Sequence, residues 1–129
     1  MHWSAFNLLA GWLGVIAGVV SGAVIGMFFH RDAWLGGYGS YQRRMVRLGH
    51  IAFFGMGFVN ILFALTAGVL AVPEINLKVA SAGFLVGLVG MPLCCFLTAW
   101  RKPLRHLFPI PVTGVLVGVT SLLLGWTGS

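Results

Sequence analysis

Four long apolar runs dominate the chain and leave it few folds. They are about Leu8–Phe29, Arg47–Val72, Leu77–Trp100 and Ile110–Trp126. Each has roughly the 17 to 25 residues that a helix needs to cross a hydrocarbon core about 30 Å thick. The apolar residues run continuously instead of alternating, so half-buried strands are the weaker reading. A lipid-facing sheet would also have to close into a barrel with more strands than this chain can supply. The runs therefore predict an all-α integral membrane protein: a single transmembrane domain over residues 1–129, folded as an up-and-down bundle of four transmembrane helices. A chain that is 59% hydrophobic and 8% charged lies far from soluble domains, where about 25% of residues are charged. The first run has no basic segment before it and is longer than the apolar part of a secretory signal, so it reads as an uncleaved span.

Charge sets the expected orientation. Every Lys and Arg except Lys78 lies in or beside two connections, Arg31, Arg43, Arg44 and Arg47 in the first, Arg101, Lys102 and Arg105 in the second. With Asp32 counted that side carries +6, while Glu74 offsets Lys78 on the other. The positive-inside rule then puts both basic connections in the cytoplasm and both termini on the non-cytoplasmic side, in a bacterial inner membrane. Arg31, Arg43, Arg44, Arg101, Lys102 and Arg105 are expected among anionic lipid headgroups, each attracted by about 1 kcal/mol. That accounts for the basic balance without nucleic acid. In the longer connection, "HRDAWLGGYGSYQRR", the rings of Trp34, Tyr38 and Tyr41 suit the headgroup zone. The turn "VPEIN" is short, as antiparallel neighbours allow.

Small residues predict how the helices pack. Gly14, Gly18, Gly22 and Gly26 recur every four residues in the first span, Gly83 and Gly87 in the third, Gly114 and Gly118 in the fourth. Such small-xxx-small seams let backbones approach in lipid, where apolar burial gives little drive for association. Three seams in four helices lead us to expect that at least one faces another chain.

Two residues interrupt the apolar second span. His50 lies about one turn below the Arg47 boundary, and Asn60 about 15 Å deeper. Asn60 is expected first to bond to a neighbouring helix and fix the register. Intramembrane polar and ionisable groups are functional candidates, so Arg47, His50 and Asn60 are candidates for holding a haem or pigment shared with a partner chain. Imidazole also suits metals, and "MPLCC" brings Met91, Cys94 and Cys95 to a similar height. A soft metal site of His50, Met91, Cys94 and Cys95 is the corresponding candidate, though no compact ligand motif supports it. Pro92 should kink the third helix.

No nucleophilic triad, carboxylate relay or nucleotide-binding loop can be traced, and the chain is not expected to be an enzyme. Three functional readings follow. The first is an accessory subunit of a larger electron-transfer or pigment-binding complex, with other membrane subunits and lipid as partners. The second is a homo-oligomeric channel or small-solute transporter with Asn60 on its track. The third is a haem- or metal-binding electron carrier.

Overall fold

The computed structural model describes residues 3–128. The order is α1 (Trp3–Phe28), α2 (Tyr41–Val69), α3 (Glu74–Trp100) and α4 (Pro109–Thr127), with short 3-10 turns at Trp34–Gly36 and Lys102–Leu107. All four helices are long and apolar enough to cross a membrane. Their ends depart from the hydropathy boundaries for local reasons. α2 begins at Tyr41 because the Ser40 hydroxyl caps it, accepting from the Arg43 amide at 3.1 Å. It stops at Val69 because Leu70 is already extended, and α3 restarts after Pro73 with Glu74 in its first turn, where a carboxylate complements the helix dipole. α3 runs unbroken through Pro92.

Each helix packs antiparallel on its neighbour in sequence, and α1 also touches α3. α1 and α4 do not pack together, so the bundle is open where a closed one would join its first and last members. The central α3 has half of its apolar stretch buried and α4 only 11%. The core is Phe63, Ala80 and Phe84, with Val115 and Leu122 of α4 leaning on it.

Most of the seam glycines are met by groups of this same chain. A methyl group built on Gly11 would lie 2.6 Å from the Gly57 carbonyl oxygen of α2, and one on Gly18 2.8 Å from the Phe54 ring. Gly14 packs on Gly57 and Leu88, and Gly22 lies directly under the His50 imidazole. Gly83 meets the backbone of Gly114 and Gly118 on α4, while Gly87 lies under Met56 and Val115. Gly26 is the exception, with nothing within 4 Å of where its side chain would be. The cause is geometric: twelve residues at 100° each leave Gly26 about 120° round the helix from Gly14. The interface follows the true period and passes to the buried Ile25.

Candidate functional site

Polar groups within the spans form separate clusters, each between different helices. At the basic end of α2, His50 Nδ1 stands 2.7 Å from the Gly18 carbonyl oxygen of α1 and 3.3 Å from the Ser21 hydroxyl. A carbonyl only accepts, so Nδ1 carries the proton and a neutral ring keeps its lone pair on Nε2. The Ser21 hydroxyl donates to the same carbonyl at 3.1 Å. Phe54 closes on the imidazole edge-on, with ring centroids 5.3 Å apart. The side-chain bond and the bare backbone of Gly22 hold the ring in one orientation. Of the two ring nitrogens, Nε2 is the one that makes no hydrogen bond among the described residues.

The sulfur residues are elsewhere. Met91 and Cys95 line a groove with Leu48, Ala52, Gly55 and Met56, on the side of α2 away from α1. Leu48, Ala52 and Gly55 are about 140–160° round the helix from His50. The expected set of His50, Met91, Cys94 and Cys95 is thus not brought together: height along the bundle agrees, direction does not. Cys94 and Cys95 are both buried and unlinked, and among the described residues no three His, Cys, Asp or Glu side chains gather in a group that could hold a metal.

Asn60 belongs to a second cluster nearer the other end. Asn7 Nδ2 donates to Asn60 Oδ1 at 2.7 Å, and Asn60 Nδ2 donates to the carbonyls of Met56 at 2.8 Å and Phe84 at 3.1 Å. The Ser81 hydroxyl donates to Asn7 Oδ1, joining α1, α2 and α3 in one network. Asn7 and Asn60 have no exposure and Ser81 has 1%. Both amide hydrogens of Asn60 are used, so its candidacy as a cofactor ligand gives way to a role in joining helices. Asn76 of α3 ties α4 in the same manner, donating to the Ser121 carbonyl at 2.9 Å.

The third cluster lies in the connection after α1. Arg43 was expected among headgroups but turns inward and is 1% exposed. Its guanidinium donates to the carbonyls of Arg31 at 2.6 Å and Phe29 at 3.3 Å, just past the end of α1. It lies over the rings of Phe29 at 5.1 Å and Trp34 at 5.4 Å. The cause is the Ser40 cap, which starts α2 so that Arg43 faces the negative end of the α1 dipole. Leu35 adopts a left-handed backbone (φ 53°), held by the Ser40 hydroxyl donating to its carbonyl at 2.6 Å. Arg47 lies over the Tyr38 ring at 4.7 Å and donates to the Tyr38 carbonyl at 3.4 Å, so it braces the connection. Arg31, Arg44, Arg101, Lys102 and Arg105 are exposed at this end.

Asn7 is the residue that sequence reasoning missed, because it stands just before the apolar run taken as the first span. An amide one helical face from a glycine seam was the available signal. No protein family, curated protein or solved structure matches the chain.

Proposed function

We propose that this chain is a small non-catalytic subunit of a larger membrane complex, inserted in a bacterial inner membrane with both basic connections in the cytoplasm and both termini outside. The observation that carries the reading is the open bundle, in which α4 rests on α3 with little of its own surface covered. Ile110, Leu116 and Leu124 on that helix are all more than 60% exposed. The polar atoms of Asn7, Asn60 and Ser81 are spent on joining helices, which leaves apolar faces as the surface offered outward. The chain's contribution to any cofactor of the assembly is His50 Nε2, from an imidazole oriented by Gly18 and Ser21. Orientation rests on the charge of the two connections.

Native mass spectrometry of the protein extracted gently from its own membrane tests this reading. A fixed-ratio complex with larger chains is the expected result, with any haem or pigment mass lost on His50→Leu. Recovery of the chain alone, or only as copies of itself, would overturn the subunit reading.

A further inference from the structure

The groove lined by Met91 and Cys95 has a shape and a charge that the subunit reading leaves unused. It lies between α2 and α4 at the basic end, with α3 as its floor, and has a volume of about 520 Å³. That is within the roughly 300–1,000 Å³ usual for ligand pockets. On α2 it extends from Leu48 to Val59, about 16 Å along the axis and close to half of a ~30 Å hydrocarbon core. It ends at mid-span because Met56 and Val115 both close over Gly87, with Val115 also packed on the core phenylalanines. Its depth is therefore that of one leaflet.

The mouth is cationic. Arg44 stands one turn before Leu48 on the same face of α2, and Arg105 stands one turn before Phe108, which lines the groove from the α4 side. Lys102 bridges the two walls, its ammonium 4.7 Å from the Tyr41 ring. Arg44 and Arg105 are exposed and have no side-chain partner among the described residues. Asp32 is the only acidic residue at this end, in the other connection. A second groove of about 480 Å³ between the same helices at the opposite end has Trp126 at its rim and no such cluster of basic residues.

We infer that the groove at the basic end is a specific site for an anionic phospholipid, with one acyl chain between α2 and α4 and the phosphate held by Arg44, Lys102 and Arg105. Basic pockets between transmembrane helices are suited to such headgroups. A partner helix fits less well, because it would need a channel running the full span where this one ends halfway. A second copy seated here would bring its own Arg44, Lys102 and Arg105 against the same cations unless the copies were offset. The site needs no partner protein, so it stands or falls independently of the subunit reading.

The test is reconstitution of the full chain in vesicles of equal parts phosphatidylglycerol and phosphatidylcholine, followed by mild extraction and native mass spectrometry of the retained lipid. One phosphatidylglycerol per chain should survive conditions that strip phosphatidylcholine. Arg44→Gln should lower that preference about fivefold, and Arg44→Gln with Lys102→Gln about 25-fold. Gly55→Leu fills the groove from a position where an added side chain meets nothing within 4 Å. It should remove the tight adduct while helicity by circular dichroism is unchanged. Gly26→Leu, equally unobstructed at its own site, should keep it. Retained lipid that mirrors vesicle composition would overturn the inference, as would an adduct that survives Gly55→Leu, one lost equally with Gly26→Leu, or a lipid-free dimer.

Discussion

Replacing Asn60 by leucine keeps the volume of the side chain and removes its hydrogen bonds, which makes the cost calculable from the network. Two of those bonds cross between helices, one from Asn7 at 2.7 Å and one to the Phe84 carbonyl at 3.1 Å. Interhelical bonds in membranes average about 0.6 kcal/mol and reach about 1.7, so their loss accounts for roughly 1–3 kcal/mol. Asn7 then retains only a 3.5 Å contact with the Ser81 carbonyl for its amide hydrogens. A buried donor left without a partner costs about 1–3 kcal/mol more. The expected destabilisation for Asn60→Leu is therefore about 2–6 kcal/mol. Removing Asn7 as well eliminates the orphaned donor, so Asn7→Leu with Asn60→Leu should cost about 1–3 kcal/mol less than the two single changes added together. Reversible unfolding in mixed micelles, followed by helicity, measures all three variants in one cycle. A single-variant change below about 0.5 kcal/mol, or strict additivity within that margin, would show that the network is not energetically coupled.

The glycines should divide by what they touch. Gly83→Ala drives a methyl group into the Gly114 backbone and should cost about 1–3 kcal/mol, whereas Gly26→Ala meets nothing and should be neutral or stabilising by up to about 1 kcal/mol; thermal unfolding in detergent compares them. Arg43→Gln removes a guanidinium lying over two rings, a loss of about 1–2 kcal/mol, and should speed tryptic cleavage after Arg31 roughly tenfold, the rate following the open population. An unchanged rate would mean that the connection does not depend on this cation. For orientation, with Cys94 and Cys95 replaced by alanine, Glu74→Cys should react with a membrane-impermeant maleimide on intact cells and Gly39→Cys only after lysis. The opposite pattern would overturn the proposed topology.

Helix number was legible in the sequence because hydropathy reports on lipid, and all four helices contain the runs it marks, or nearly all of each. Helix ends were less so. Tyr41 to Val46 belongs to α2 although it lies outside the apolar stretch, because a Ser40 cap extends a helix without regard to hydrophobicity. Direction around a helix was the larger loss. Counting every fourth residue placed Gly26 in a seam that the 3.6-residue period carries it out of, and matching heights joined His50 to Met91 and Cys95 across opposite sides of α2. Positive charge near a boundary was read as facing lipid headgroups, yet Arg43 turns in to the Phe29 and Arg31 carbonyls just past the end of α1 and lies over two aromatic rings. The meeting of Asn7 with Asn60 required knowing which face of α1 lies against α2. A single sequence with two candidate faces does not specify that.

The neighbour-by-neighbour packing also sets how the chain can be built. As α2 enters the membrane, the face of α1 that it needs is already there, so their glycine seam can close before the rest is made. α3 then finds Asn60 and Asn7 in place to receive it, and α4 finds the bare backbone of Gly83. Contacts between neighbours in sequence carry small loop-closure costs and favour fast assembly during synthesis. Each seam waits only for the next helix in sequence, α1 for α2 and α3 for α4. The order of synthesis is thus also the order in which these joints can close, α1 on α2, then α2 on α3, then α3 on α4.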